Sequence, residues 1–233
     1  MLEKPKGKRA SRYTREPEEA KSKLRELVPM NENQRRYIHA LKSHRQVIVT
    51  GPSGTGKTFC AATHAANLYL GKSIQKIIIT RPAVGVGKTL GLLPGDLGEK
   101  YTPWLHPLLS VLEDQLGKGV VETGIKNGNI IMAPLEYMRG SSFNNSFVLL
   151  DEGQNLDVQE FKMLVTRIGE NCNLVINGDI RQSDIKTQSG LSKALHLVKK
   201  YGMDAAVVEF EIDDIVRSDI CKQWIIAFTE EGL

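Results

Sequence analysis

The chain has 233 residues, of which 41% are hydrophobic and 25% charged, with a formal net charge of +4. This length suits one α/β domain with appendages and a sizeable core, and no apolar run is long enough to cross a membrane or form a signal peptide. The three cysteines, Cys60, Cys172 and Cys221, are widely spaced and include no Cys-x-x-Cys pair. This spacing argues against a disulfide framework or a zinc site and favours reduced thiols in the cytoplasm.

The positive charge is concentrated at the start of the chain. Residues 1–28 hold nine of the 31 Lys and Arg residues and five of the 27 Asp and Glu residues, so this segment carries the whole excess of +4. The composition predicts a disordered basic arm over residues 1–15, which either contacts nucleic-acid phosphates or stays solvated without a partner. Pro and acids at residues 16–20 are typical of a helix start. We therefore divide the chain into this arm with a short helix, residues 1–28, and one domain, residues 29–233.

The first predicted elements of the domain flank a glycine-rich loop. Asn31 is a candidate N-cap for a helix that continues to Leu41. Residues 47–50 are a β-branched run typical of a buried strand, and the Ala-rich residues 59–68 predict a helix that Gly71 ends.

The loop between that strand and that helix matches the pattern G-x-x-x-x-G-K-[ST] at every position. Its residues are Gly51, Pro52, Ser53, Gly54, Thr55, Gly56, Lys57 and Thr58. A strand, a glycine loop and a helix in this order aim backbone N–H groups and a helix N-terminus at one anion. We expect Lys57 to reach the β- and γ-phosphates of ATP and the Thr58 hydroxyl to hold Mg²⁺. A second Gly-Lys-Thr, at residues 87–89, does not qualify because Pro82 stands where the first glycine is required.

Residues 76–80 and 130–133 predict two further strands. The glycine-rich residues 84–128 between them are longer than one crossover needs, so we expect an insertion beside the sheet that is helical over residues 101–116. Tyr101 and Trp104 either stack on bases or, as is more common, anchor the insertion on its domain. Arg81 and Arg139 follow strands or turns near one sheet edge. Contact with nucleic-acid phosphates, contact with the γ-phosphate and structural pairing are all open for them.

Residues 147–151 predict an apolar strand that ends in Asp151 and is followed by Glu152. Such a strand brings carboxylates to the edge of the sheet where α/β folds bind ligands. Asp151 can orient Mg²⁺ through its water shell, and Glu152 can act as a general base toward an attacking water. The alternative is that the two acids only end a strand and cap a helix predicted over residues 156–168.

Residues 174–177 predict another buried strand, followed by Gly178-Asp179 and, three residues later, Gln182. The amide of Gln182 can donate a hydrogen bond to the γ-phosphate or to the attacking water, although Gly-Asp is also common in ordinary turns. A last strand is predicted over residues 206–210. Helical stretches between most of these strands are typical of a parallel sheet with crossover helices.

These segments, in this order, resemble the ATPase core shared with superfamily 1 helicases, and other segments narrow the resemblance to the PhoH-like ATPase family. The latter are residues 79–84, 90–97, 133–140, 151–155 and 216–217. The resemblance covers residues 30–229, with Gly153 where the family has Ala and Ser218 where His is frequent. It implies an α/β fold with one RecA-like P-loop NTPase domain, a mostly parallel sheet and helices on both faces. It also implies hydrolysis of ATP and a ring of copies, with a hexamer favoured.

The resemblance suggests two more site residues. In helicase-like relatives a Gln upstream of the phosphate loop pairs with adenine; Gln34 has this position here, although exposed helical Gln is common. A single RecA-like domain lacks the arginines that a second such domain supplies, and Arg217 is the candidate for that cation. Arg217 could act on its own site or on a neighbour's, and a ring favours the neighbour's. A surface ion pair with Asp213 or Asp214 is the alternative.

The leading functional hypothesis is an Mg²⁺-dependent ATPase that couples hydrolysis to work on single-stranded RNA or DNA as an oligomer. The alternative is a switch or assembly protein in which ATP sets the oligomeric state and no strand is moved. A small-molecule kinase is disfavoured because Glu152 directly after Asp151 suits activation of water, and no cluster of lid arginines is evident.

Overall fold

The structure is a computed structural model that describes residues 24–82, 97–138 and 140–231. Its strands are β1 (Gln46–Thr50), β2 (Lys76–Thr80), β3 (Ile130–Met132), β4 (Ser146–Leu150), β5 (Asn173–Gly178) and β6 (Ala206–Glu209). Its α-helices are α1 (Glu32–Ser43), α2 (Lys57–Leu70), α3 (Leu97–Leu116), α4 (Lys118–Lys126), α5 (Val158–Val165), α6 (Gly190–Tyr201) and α7 (Asp219–Glu230).

The six strands form one parallel sheet in the order β3-β2-β4-β5-β1-β6. Strand β5 therefore lies between β1, which leads into the glycine loop, and β4, which leads into Asp151. Because all strands run in one direction, their carboxyl ends meet at a single edge of the sheet. The register brings Thr50 opposite Gly178 and Thr80 opposite Leu150, so the segments that follow these strands start side by side.

The sheet is covered on both faces, and successive residues of a strand serve opposite faces. Ile77 and Ile79 point into a core formed with α1, α2, α3 and α4, whereas Ile78 points into a second core formed with α5 and α6. Strand β4 is buried along its whole length, as expected for a parallel strand between two helical layers. The prediction of an α/β domain with helices on both faces of a parallel sheet is confirmed.

The local predictions agree closely with the described elements. All six predicted strands are present, and Asn31 caps α1 by accepting a hydrogen bond from the backbone N–H of Gln34 at 2.8 Å. Helix α3 includes the predicted residues 101–116, and its Leu105, Leu108 and Leu112 are buried in the core that contains α2. The basic arm, the helix start at residues 16–20, the second Gly-Lys-Thr, Arg139 and the side chains of Tyr101 and Trp104 lie outside what the structure describes.

The helix predicted over residues 156–168 is α5, and its cap is local. The Asp157 carboxylate accepts hydrogen bonds from the backbone N–H groups of Gln159 and Glu160, and the Glu160 carboxylate accepts one from the backbone of Asp157. This reciprocal pair is a capping box. Asp151 and Glu152 therefore do not cap this helix.

Candidate nucleotide site

The glycine loop connects β1 to α2 and takes a conformation that its glycines make possible. Gly51, Gly54 and Gly56 all have positive φ values, of 134°, 84° and 86°. A Cβ atom on Gly51 would also collide with the backbone carbonyl of Phe210 in the segment after β6. The loop is therefore held close to a neighbouring backbone, and α2 begins at Lys57 with its free N–H groups at the end of the loop.

Lys57 lies across the loop that precedes it. Its ammonium group donates hydrogen bonds to the carbonyl oxygens of Gly51 at 2.6 Å and Pro52 at 2.7 Å. Burial lowers the pKa of Lys57, and the nearby carboxylates of Asp179, Glu152 and Asp151 oppose that shift. The ammonium group is thus buried against neutral carbonyl oxygens, which an anionic ligand can replace.

Thr58 and Asp151 meet at the start of α2. The Thr58 hydroxyl donates to Asp151 Oδ1 at 2.9 Å, and the Asn177 amide donates to the same oxygen at 3.4 Å. Asn177 in turn accepts a hydrogen bond of 3.1 Å from the hydroxyl of Tyr37, and both residues have 0% exposure. Burial, together with the charge of Glu152, raises the pKa of Asp151, while the hydrogen bonds from Thr58 and Asn177 and the charge of Arg81 lower it.

Glu152 is held from two sides. Its backbone is in the left-handed region, with φ of 54°. Arg81 forms an ion pair with Glu152 Oε1 at 3.1 Å, and the Gln154 amide donates to Oε2 at 2.7 Å. Gln154 is itself fixed, because its Oε1 accepts the backbone N–H of Asp179 at 3.0 Å. Both carboxylate oxygens of Glu152 therefore have protein partners.

Gln34 lies against the loop and is 4% exposed. Its Nε2 donates to the carbonyl of Thr55 at 3.0 Å, and its Oε1 accepts the backbone N–H of Met30 at 2.8 Å. The structure thus brings Gln34 to the site that the resemblance suggested. Contact of this amide with a base requires an exchange of these two backbone partners.

Gln182 and Arg217 lie at the outer rim of the site and are exposed. The Val216 N–H donates to the carbonyl of Gly54 at 3.0 Å, and a Cβ on Gly54 would approach Arg217 Cγ to 2.8 Å, so the arginine stem lies on the loop of its own chain. Asp213 pairs instead with Lys222 at 3.7 Å, and Asp214 accepts hydrogen bonds from Asn33 and the Glu211 backbone. Within the described part of the chain, Arg217 takes part in no ion pair.

These groups line one cleft of about 590 Å³. Its lining includes residues 53–58, Asp151, Glu152 and Asp179, together with the apolar residues Leu27, Val28, Met30, Pro107 and Val111. The segment of residues 24–30 is fastened to α2 by Asn67, which accepts the backbone N–H of Arg25 at 3.2 Å and donates to its carbonyl at 2.8 Å. No sequence pattern predicts these apolar contacts, because residues 24–30 have no periodicity and the hydrogen bonds that attach them to α2 join residues 42 positions apart.

Comparisons with known proteins identify the family of this chain. A family model described as PhoH-like protein matches residues 26–229. The chain belongs to this PhoH-like family. It is 38% identical over 207 residues to Protein PhoH of Escherichia coli (strain K12), covering 87% of this chain and 58% of that protein. It is 40% identical over 202 residues to the PhoH-like protein of Bacillus subtilis (strain 168), covering 85% and 63%. The chain thus spans about three fifths of the length of these curated relatives.

Among solved structures, the PhoH-like chain is similar to the crystal structure of Pif1 helicase from Candida albicans. The TM-score is 0.47 at 14% identity, covering 88% of this chain and 44% of that one. A likeness of this degree does not inform on function. Separately, none of the helices in the described ranges is both long and apolar enough to cross a bilayer.

The residues of this PhoH-like chain fit a nucleotide with Mg²⁺. Magnesium is usually bound by one or two protein oxygens together with phosphate oxygens and water, and Thr58 with Asp151 supplies that kind of set. The described residues include no cluster of three or more His, Cys, Asp and Glu side chains that would bind a metal alone. The chemistry of the donors therefore suits a metal that arrives with a triphosphate.

Proposed function

We propose that this chain is a Mg²⁺-dependent ATP hydrolase. The observation that carries the proposal is the 2.9 Å hydrogen bond between Thr58 and Asp151, which joins the first turn of α2 to the end of β4 beside Glu152. Thr58, Asp151 and Glu152 line the same cleft as Lys57, and we assign the first two to Mg²⁺ and the third to proton transfer. Each group alone has other uses, but hydrolysis of a triphosphate needs all four together.

The mechanism assigns separate tasks to these residues. Lys57 exchanges its carbonyl partners for phosphate oxygens, and the N–H groups of the loop and of α2 orient the same phosphates. Thr58 and Asp151 would hold Mg²⁺, which supplies neutralisation of phosphate charge when bound. Glu152 accepts the proton of the attacking water. Gln182 orients this water or the γ-phosphate, and Arg217 stabilises charge on the transferred group.

The same proposal accounts for the apolar residues that line the cleft. Leu27, Val28 and Met30 offer a wall on which a flat base can pack, and Val28 and Met30 are each 73% exposed at this point. Gln34 reads the edge of adenine when it exchanges its bonds to Met30 and Thr55. A base bound there would cover these exposed side chains, a favourable burial of apolar area.

The substitution Glu152→Gln tests the hydrolase proposal. We expect kcat to fall by about 10²–10⁴-fold because the base is lost, while the dissociation constant for ATP changes by less than about threefold. Glu170→Gln is the matched control, since Glu170 is exposed at the opposite end of the sheet. An equal loss of binding and turnover in Glu152→Gln would contradict the role of Glu152 as base.

We further propose that hydrolysis is coupled to single-stranded RNA or DNA and that the protein acts as a ring, with a hexamer favoured, in the cytoplasm. Exposed Arg181 and Arg217 near the carboxyl edge of the sheet support the first part, because phosphates pair well with arginine. The three cysteines are free thiols, which supports a reducing compartment.

An ATPase assay with RNA, with DNA and with neither, run beside a mass measurement, separates the two candidate functions. Stimulation by a single strand supports coupling to nucleic acid. A change in mass with ATP but without stimulation supports the nucleotide-dependent assembly or switch protein instead.

A further inference from the structure

The ion pair between Arg81 and Glu152 joins two neighbouring strands at the edge of the sheet. Arg81 is the first residue after β2, and Glu152 is the second residue after β4. These strands are paired, and the backbone N–H of Asp151 donates to the carbonyl of Thr80 at 2.9 Å. The sheet therefore fixes both backbones, and the 3.1 Å contact between the side chains follows from this framework.

This ion pair competes with the use of Glu152 as a base. To take a proton, Glu152 must present an oxygen to water, yet Oε1 faces the Arg81 guanidinium and Oε2 faces the Gln154 amide. The Gln154 contact is buried and rigid, because Gln154 is 1% exposed and bonded to Asp179. The Arg81 contact is the more accessible of the two, with the side chains of Arg81 and Glu152 exposed by 26% and 38%.

A guanidinium group binds phosphate as well as carboxylate, in the same planar geometry. Arg81 borders the cleft, and Arg181, at the same sheet edge, is an exposed cation that can bind an adjoining phosphate. We propose that Arg81 restrains Glu152 until a phosphodiester of a single-stranded nucleic acid binds the Arg81 guanidinium and releases the carboxylate. This inference rests on the proposed function, and it makes Arg81 the positioning residue that couples strand binding to hydrolysis.

The test is steady-state ATP hydrolysis by the full chain and by Arg81→Ala, with no strand, with oligouridine or with oligothymidine. Without a strand, Arg81→Ala should hydrolyse ATP about fivefold faster than the unaltered protein, the factor expected for a partly exposed ion pair. Its stimulation by either oligonucleotide should fall to about one. Response to only one oligonucleotide identifies RNA or DNA as the source of the phosphodiester.

A second measurement separates this role from a structural one. Loss of one phosphate contact should reduce the slope of log affinity against log salt concentration for the single strand by about 0.7. Arg81→Gln should behave as Arg81→Ala does, and it keeps a polar side chain if the alanine variant fails to fold. Arg45→Ala is the matched control, because Arg45 is an exposed arginine directly before β1, at the opposite edge of the sheet. Its unstimulated rate and its stimulation factor should stay unchanged.

Several outcomes would overturn the inference. A slower unstimulated rate in both Arg81 variants, with unchanged thermal unfolding, would mean that Arg81 supports the reaction directly. Unchanged stimulation in these variants would remove the coupling role. Hydrolysis by the unaltered protein without response to either strand would end this inference and leave ATP hydrolysis standing. Absence of hydrolysis in the unaltered protein would instead contradict the proposed function.

Discussion

The inner wall and the outer rim of the cleft are built differently. On the inner wall, Tyr37, Asn177, Asp151 and Thr58 form a continuous chain of hydrogen bonds, with the first three residues nearly or fully buried. At the rim, Gln182 and Arg217 are exposed. The fold of this chain fixes the positions of the inner side chains. The exposed side chains at the rim can change conformation, and binding of a ligand or partner would restrict them.

This difference follows from the cost of burial. A buried polar group without a partner costs about 1–3 kcal/mol, so the inner residues must satisfy one another before any ligand binds. Exposed groups are satisfied by water and pay side-chain entropy only when they bind. We expect changes on the inner wall to affect stability and metal binding, and changes at the rim to affect rate or partner binding alone.

The largest expected effect is at the rim. Arg217→Ala should lower kcat by about 10³–10⁵-fold, the range known for a cation that stabilises charge on the transferred phosphoryl group. The thermal midpoint and the affinity for ATP should change little, because the Arg217 side chain is exposed. Single-turnover and steady-state rates, with thermal unfolding alongside, give this measurement. A loss of stability that matches the loss of rate would place Arg217 among the structural residues.

Mixing two inactive variants tests whether Arg217 acts in the cleft of its own chain or in that of a neighbour. A ring favours action on a neighbour, but the stem of Arg217 lies on Gly54 of its own chain, which supports action in its own cleft. We therefore expect a mixture of Arg217→Ala and Lys57→Ala proteins to remain inactive after proven co-assembly. Recovery of activity would mean that an intact Arg217 acts on the intact loop of its neighbour.

The sequence predicted the parts of the site whose signals are local. The glycine loop, Asp151 and the six strands each have a pattern within about ten consecutive residues. The pairs Tyr37–Asn177 and Arg81–Glu152 are separated by 140 and 71 residues, and nothing near either residue specifies its partner. Gln154 lay inside a motif that carried the resemblance, but its contacts with Glu152 and Asp179 depend on how β4 and β5 are paired.

The next effect concerns pH and a buried histidine. His64 on α2 is 8% exposed and packs edge-on to Phe147, and burial lowers its pKa to about 4, with Lys42 acting in the same direction. The unfolded chain takes up a proton on this residue below about pH 6.5, and the folded chain does not until about pH 4. The free energy of unfolding should therefore fall as pH falls through this window, by about 2 kcal/mol between about pH 7.5 and pH 5.

Urea unfolding of His64→Gln at both pH values checks this prediction. The His64 ring has a hydrogen bond with the Leu41 backbone, which opposes the lowering of its pKa. Glutamine can keep this bond but does not titrate, so about 2 kcal/mol of the pH dependence should disappear. His196→Gln is the control, since His196 is exposed on α6 and should leave the pH dependence unchanged. Equal pH dependence in the unaltered protein and His64→Gln would show that His64 is not the group responsible.

The smallest effect tests the innermost hydrogen bond. Tyr37 donates to Asn177 Oδ1, which turns the Asn177 amide nitrogen toward Asp151, and burial raises the Tyr37 pKa so that its hydroxyl keeps its proton. Tyr37→Phe removes only this donor and should cost about 1 kcal/mol of stability in urea unfolding. Because Asn177 is then free to turn its amide, the Mg²⁺ concentration for half-maximal hydrolysis should rise about two- to fivefold with kcat little changed.

Tyr201→Phe, at an exposed site on α6, should change neither quantity. If Tyr37→Phe loses stability but keeps the same Mg²⁺ requirement, the hydroxyl stabilises the core and does not position the metal site.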